Sequence, residues 1–550
     1  MDNSVEKATP SLLRGTGIVA ALTLLSRALG FIEQLFVAKF FGAGGLTDAF
    51  FIAFRIPNLL RSFVAEGALT SAFVPVFTSE LAKSHKDAQK LLRAVTTLLC
   101  LITLTLSLLG IIYAPEIVSL IAPGFGLNSP RGELCILLTR IMFPYIMFVS
   151  LVAMLNGALN SVNIYGAAPL AQVTMNIVLI FGVIIAGQFL PETGLIILAA
   201  AVIVGGFAQL LIQIPSLKKA NFKPFPSKKF ITPQTRQILL LMTPAIFGSA
   251  VYQIGVLLNS VLASLLKEGS VSWLFYADRL AQLPIGVFTV ALASVLLPTL
   301  SKFAAKNDPQ GFANSLNDSL RYTSFCMIPL SFLMFAFALP ITKLVFERGS
   351  FTPQDSAMTA LAVQATAFGL WGISCHSMAI RGFLALKDTV TPVMIGIFAL
   401  LVNILVSLSI MGSPEPSVQG KAADLVIFIQ SYLKVPISLG HAGLAFAGGF
   451  SASCALLLTL FLLKRRYQEL YWKPFFVTSF KTVVASGAMY LCVVARGDLF
   501  SINLIVDLLI DSVIAVITFT IFAKILKIKE LEETFQILLR VLLKLRKRTS

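Results

Sequence analysis

"TDAFFIAFRIPNLLRSFVAEG", residues Thr47 to Gly67, is long enough to cross a bilayer and mostly apolar, yet it carries Asp48, Arg55, Arg61 and Glu66. A bilayer-spanning helix needs roughly 20 predominantly apolar residues. Each charge at its centre costs a few kcal/mol, about 2.5–3.5 for an arginine on translocon scales, unless it meets water, a partner or the bundle interior. Pro57 removes a backbone donor in mid-segment and favours a kink. Such a segment is a poor plain anchor and suits the wall of an internal cavity.

The rest of the chain sets the context. Of its 550 residues, 57% are hydrophobic and only 13% charged, against about 25% charged in soluble domains. Long apolar runs recur, among them Cys100–Ala114, Ala167–Gly187, Leu195–Leu211, Val393–Met411 and Ala442–Leu463. A soluble protein would have to hide all of them. The first run passes through Arg27 without a small-residue cleavage site, so it reads as a retained helix and not a removable signal.

Fourteen spans follow: 12–38, 48–77, 91–113, 136–157, 166–188, 194–213, 237–264, 272–300, 321–342, 360–385, 391–411, 440–463, 475–495 and 500–524. The fold class expected is an all-α polytopic membrane protein. The net charge of +17 sits in the gaps between spans. Lys83, Lys86, Lys90 and Arg93 fill one gap. Lys218, Lys219, Lys223, Lys228 and Lys229 fill another. Lys464, Arg465, Arg466 and Lys473 fill a third, and the tail ends in "KLRKR" before Thr549. These gaps share one side, which the positive-inside rule assigns to the cytoplasm together with both termini. The basic gaps also suit anionic membrane lipids. No nucleic-acid motif accompanies the charge, so a nucleic-acid partner is not expected. "ADLVIFIQSYL" (Ala423–Leu433), in the long gap 412–438, has apolar residues at helical spacing and fits a helix lying along the interface.

An internal echo organises the spans. "SAFVPVFTSELAKSHKD" (71–87) resembles "ASVLLPTLSKFAAKND" (293–308), and "APEIVSLIAPGF" (114–125) resembles "LPITKLVFERGSF" (339–351). Asn156-Gly157, Pro169 and Asn176 have rough counterparts in Arg381-Gly382, Pro392 and Asn403. Each unit holds an even number of crossings, so the repeats keep one orientation and should be related by an axis along the membrane normal. The expected organisation is an N-terminal lobe over 1–220, a C-terminal lobe over 221–470, and accessory helices with a basic tail over 471–550. Two six-helix lobes with pseudo-two-fold symmetry leave a central cleft, the plan of an alternating-access transporter.

Arg27 interrupts the first span, Arg55 and Arg61 the second, and Asp278 and Arg279 the eighth. Arg55 and Arg279 stand 224 positions apart, in corresponding helices of the two repeats. Paired arginines focus positive potential on one cleft, and guanidinium groups bind phosphate bidentately. An anionic substrate is therefore expected. Asp48 and Arg55, seven apart, lie near one helix face and could pair. The acids Glu33, Asp48, Glu66 and Asp278 keep a cation-coupled drug exporter open as the alternative. Six scattered cysteines show no CxxC, and three histidines are far apart, so neither a disulfide framework nor a metal site is expected. There is no phosphate loop and no nucleophile–base pair, which points to transport without an ATPase or bond chemistry of its own.

The same residues carry a family resemblance. "SRALGF" (Ser26–Phe31), "FGAGGLTDAFFIAFRIPNLLRSFVAEGALTSAFVP" (Phe41–Pro75), "APGF" (Ala122–Phe125), "FPYI" (Phe143–Ile146), "GSVSWLFYADRLAQLPIGVF" (Gly269–Phe288) and "HAGLAFA" (His441–Ala447) look like the MurJ/MviN family of lipid II flippases. That family belongs to the multidrug/oligosaccharidyl-lipid/polysaccharide exporter superfamily. The resemblance implies fourteen helices, a cationic central cavity and a groove from the last two helices for a polyprenyl tail. It implies lipid II, the undecaprenyl-diphosphate-linked peptidoglycan precursor, as substrate, and the bacterial cytoplasmic (inner) membrane as location. Cell-wall synthesis proteins are implied as partners. The family's cavity arginines map to Arg27, Arg61 and Arg279, and its acids to Asp48 and Glu66. Asn58 and Ser272 lie in matched segments.

One departure stands out. Family members usually read "SRxLGFxRD" or "SRxLGFxRE", whereas this chain reads "SRALGFIEQ", with Glu33 in place of an arginine and Gln34 in place of the acid. Either Arg55 takes over the missing charge or Glu33 pairs with Arg27. Another polyprenyl-diphosphate-linked glycan therefore stays open as substrate. No cofactor is expected. The membrane potential or a monovalent coupling cation would supply energy, with Asn176 and Asn403 as weak ligands whose simpler role is interhelical hydrogen bonding.

Overall fold

The computed structural model describes residues 10–61, 69–418, 420–433, 438–499 and 503–536, and these residues contain helices and turns but no strand. Twelve helical segments among them are long and apolar enough to cross a membrane. The chain is an all-α multi-pass membrane protein. It groups into two compact units, Met1–Ser272 with Arg348–Thr352 and Pro414–Leu425, and Trp273–Glu347 with Pro353–Ser413 and Val426–Ser550.

In the first unit, α1 (Pro10–Phe41) is followed by α2 (Gly45–Arg61), α3 (Leu69–Lys83), α4 (His85–Ile112) and the short α5 (Ala114–Ile121). Then come α6 (Pro130–Met142), α7 (Tyr145–Ser161), α8 (Ala167–Ala186), α9 (Pro191–Leu211), α10 (Ile214–Lys219) and α11 (Pro233–Ser264). Caps set the starts. Ser84 accepts from the Asp87 amide at 3.1 Å, Ser129 from the Gly132 amide at 3.0 Å, and Thr232 and Thr235 form a capping box. The core of this unit joins α3, α4 and α7 through Phe73, Phe77, Leu92, Met154 and Leu159, with Phe222 and Met242 closing it.

The expected span 136–157 is two helices. Pro144 has no amide hydrogen to continue the ladder, so α6 ends at Met142 and α7 starts at Tyr145. The expected span 48–77 becomes α2 and α3, whose junction, residues 62–68, lies outside the described residues, as does Glu66. Pro57 is accommodated inside α2, which continues to Arg61.

The second unit takes in α12 (Ser270–Pro284) from Trp273 onward. A π-helical turn, Ile285–Thr289, joins it to α13 (Val290–Ala305). Then follow α14 (Pro309–Ala336), α15 (Ala338–Phe346), α16 (Pro353–Ala385), α17 (Val390–Ile410), α18 (Lys421–Leu433), α19 (His441–Arg466), α20 (Lys473–Leu499) and α21 (Leu504–Ile525). Its core runs through Leu300, Phe312, Leu316, Met378, Phe383, Leu456 and Phe475. α16 and α19 touch backbone to backbone: a Cβ on Gly369 or on Gly449 would collide with the other glycine, the small-residue packing of membrane helices. α20 is pinned by Ser324 of α14, which accepts from Trp371 Nε1 at 2.8 Å and from Ser479 Oγ at 3.0 Å. Arg496 joins α20 to α21 by ion pairs to Asp507 (2.7 Å) and Asp511 (3.0 Å).

The element order echoes between the units. α4 and α5 are separated by Tyr113 alone, and α14 and α15 by Phe337 alone, 224 positions on. The Tyr113 amide bonds Leu109 O and the Phe337 amide bonds Leu333 O, each at 2.8 Å. The correspondence lapses at Pro144: the matching stretch of α16 has no proline and runs unbroken.

Candidate functional site

The motif residues of the first unit are held by specific partners. On α1, Ser26 is buried, and Asn176 of α8 donates to its carbonyl at 2.6 Å and its hydroxyl at 3.2 Å. Gly30, one turn on, leaves room for the Asn176 amide. This contact fixes α1 on α8 and leaves the next residue, Arg27, exposed. Glu33 is half-buried and accepts from Gln34 Nε2 at 3.1 Å.

On α2, Asp48 is 1% exposed. Its Oδ2 accepts from the Gly269 amide at 2.8 Å, and its Oδ1 from the Ser272 amide at 2.8 Å and the Ser272 hydroxyl at 2.6 Å. The first amides of a helix lack intrahelical acceptors and carry partial positive charge. Asp48 therefore caps α12 from another helix, and the expected Asp48–Arg55 pair gives way to this arrangement. Arg55 instead donates to Ser260 Oγ of α11. Asn58 donates to Phe54 O within its own helix at 3.2 Å. Arg61 is half-buried at the end of α2.

Arg131 is a site residue that the sequence does not announce. It stacks over the Phe125 ring at 3.7 Å, donates to Ser264 O at 3.3 Å and faces Glu268 at 3.6 Å. Its charge also acts on Asp48. Gly124 of the "APGF" turn donates to Ser264 Oγ at 3.2 Å, and a Cβ there would strike the Ser264 carbonyl. Asp48, Arg131, Glu268 and Ser264 thus tie α2, α6, α11 and the start of α12 together. Its only trace in the sequence is the pair Arg131 and Glu133, in a gap that reads as charge-balanced.

In the second unit, Arg279 is half-buried and lies over Phe275 at 4.8 Å. Asp278 is exposed and accepts from Gln282. Trp273 donates to Asp355 at 3.0 Å and packs on His441, whose Nε2 lies 2.8 Å from Met358 O. The motif histidine is thus a packed core residue. Asn403 is buried on α17, with no hydrogen-bond partner for its Oδ1 among the described residues. No group of three or more metal-ligating side chains occurs among the described residues.

Apolar membrane helices that carry arginines, with the quoted motifs on α1, α2 and α12, define a multi-pass membrane transport protein. The family profile described as "Lipid II flippase MurJ" matches residues 37–510. The lipid II flippase MurJ of Burkholderia cenocepacia is 35% identical over 493 residues, covering 88% of this chain and 90% of that protein. The probable lipid II flippase MurJ of Vibrio cholerae is 36% identical over 407 residues, covering 72% and 77%. A solved structure described as "Lipid II flippase MurJ, inward closed conformation" superposes with a TM-score of 0.75 at 28% identity, covering 92% of this chain and 98% of that one. An inward-facing multidrug transporter of the MATE family shares the fold, with a TM-score of 0.62 at 14% identity, covering 82% and 98%. The chain belongs to the lipid II flippase MurJ family.

Proposed function

We propose that the protein moves lipid II from the cytoplasmic to the periplasmic leaflet by alternating access through a cationic cavity. The observation that carries this reading is that Arg27 and Arg279, on apolar membrane helices, have no acidic partner among the described residues. A cation kept in such a segment without a carboxylate calls for an anionic visitor. A diphosphate supplies it, with bidentate geometry.

In the proposed cycle the diphosphate is received by Arg27, Arg61 and Arg279, with Arg55 and Asn58 beside them. Ser272 acts indirectly, by holding Asp48. The lobes 1–220 and 221–470 rock about their interface, and the polyprenyl tail runs along the accessory helices of 471–550. Asp48, Arg131 and Glu268 hold the start of α12 in one state of the cycle. Asp278 and Glu66 tune the cavity charge. Both termini face the cytoplasm, where the basic gaps meet anionic lipid headgroups. The membrane potential, about 2.3 kcal/mol per charge per 100 mV, can drive the step. Of the two asparagines weighed as ligands of a coupling cation, Asn403 is favoured, because its buried Oδ1, the atom a cation would meet, accepts no hydrogen bond among the described residues.

Glu33 favours a second reading, a related polyprenyl-diphosphate glycan with a different headgroup. The test is complementation of a flippase-depleted bacterium by the wild type, Arg27→Ala, Arg61→Ala, Arg279→Ala and Glu33→Arg, with membrane levels measured. Rescue by wild type and its loss in the arginine variants supports lipid II. Failure of a well-expressed wild type overturns lipid II in favour of another headgroup.

A further inference from the structure

The segment between α17 and α19 is an excursion that closes on its own starting point. The Leu439 amide donates to Ile410 O at 2.8 Å, so the chain returns to the last turn of α17. Between these points lies α18. Its Gln430 side chain donates to Leu408 O at 3.1 Å and to Gly412 O at 2.8 Å. These are carbonyls at the end of a membrane-spanning helix, which have no intrahelical partners of their own. Gln430 thereby sets α18 level with the end of that helix.

One face of α18, Ala423 and Val426, is buried. Another is not: Leu425, Phe428 and Tyr432 are 58%, 58% and 74% exposed. Their spacing of three and four residues puts them in one stripe. Phe428 and Tyr432 meet edge to face at 5.1 Å. Asp424 and Ser431 border the stripe. We infer that α18 is an interfacial helix whose Leu425–Phe428–Tyr432 stripe inserts into the bilayer surface at the end of α17. Depth argues for lipid, because the helix is fastened where the hydrocarbon core ends. Composition agrees: aromatic rings beside a polar border suit the headgroup boundary. The gap's charges, Glu415, Lys421, Asp424 and Lys434, balance, so the contact is apolar and does not select anionic lipid. Which leaflet it enters rests on the proposed topology; the insertion itself does not.

Phe428→Trp and Tyr432→Trp, each in the full chain, are reconstituted in phosphatidylcholine vesicles brominated either near the headgroup or near the chain end. The emission added over that of Trp273, Trp371 and Trp472 is read. The expected result is a blue-shifted signal quenched at least about twofold more by the shallow bromine than by the deep one, and unchanged by salt. Gln430→Leu, which releases the depth setting, should shrink that contrast. Quenching by aqueous iodide with no effect of bromolipid overturns the inference. So does an emission that changes with protein-to-lipid ratio, which would mean that a second copy covers the stripe. The readout does not involve transport, so it stands or falls apart from the substrate assignment.

Discussion

Asp48 and Ser272, 224 positions apart, share two hydrogen bonds, from the Ser272 amide at 2.8 Å and its hydroxyl at 2.6 Å. A carboxylate on one membrane helix thus serves as the N-terminal cap of another. Asp48→Ala leaves the Gly269 amide and both Ser272 donors without an acceptor in a buried place. Each such group costs about 1–3 kcal/mol. The expected outcome is a fall of several degrees in melting temperature in detergent together with loss of complementation. Ser272→Ala removes one bond and should cost about 1 kcal/mol. Equal stability of Asp48→Ala and wild type would refute the capping role.

Among the described residues, Arg279 is held by its stack on Phe275. Removing a cation–π contact of this kind costs about 1 kcal/mol or less. Arg279→Ala should therefore fold and reach the membrane at normal levels yet fail to complement. Arg279→Lys should also be impaired, since an ammonium cannot offer a bidentate fork. A large drop in melting temperature would show the arginine to be structural.

The α16–α19 seam predicts a sharp contrast between glycines. Gly449→Val drives a side chain into the backbone at Gly369, and overpacking costs about 1–3 kcal/mol. At Gly487 of α20 an added methyl would meet nothing within 4 Å, so Gly487→Ala should be neutral or stabilising by up to about 1 kcal/mol. Thermal melts of the two variants side by side check this.

Acid should loosen one loop. Asp388, between α16 and α17, accepts from the Thr391 amide at 3.0 Å, from the Thr391 hydroxyl at 2.7 Å and from Arg466. The Thr391 amide first, then its hydroxyl and Arg466, hold the carboxyl below its ordinary value of 3.8. A depressed carboxyl stabilises the fold above its unfolded value and loses that contribution as pH falls through the folded one. The effect is therefore complete at neutral pH and fades only below 3.8. Asp388→Asn should be less stable than wild type at pH near neutral, with the gap closing in strong acid. A gap that widens on acidification would contradict this.

Hydropathy exposes most of the membrane helices because lipid imposes a length and a composition on every span. The Tyr113 junction closes the expected span 91–113, whereas Phe337 lies inside the expected span 321–342, and only the stretches that follow, 114–125 and 339–351, are legible as an echo. The break at Pro144 is not, although the proline is in plain view, because the apolar run continues across it. The site is harder. Arg27, Arg61 and Arg279 stand out as charges in apolar surroundings. The Asp48–Ser272 cap does not, because helix periodicity relates residues within a segment and says nothing of residues 224 apart. Arg131 escapes notice because a cation in a connecting segment is ordinary until Phe125, Ser264 and Glu268 converge on it.

The π-helical turn at Ile285–Thr289 follows directly after Pro284. There the Val290 amide reaches back to Ile285 O, so the ladder skips one rung. A regular helix turned at one end must turn at the other. A helix with a slipped rung works more like a universal joint. Here the slipped rung sets the two halves at different rotations: α12 keeps Trp273 on Asp355 and His441, while α13 turns Leu296 and Leu300 into the core of its unit.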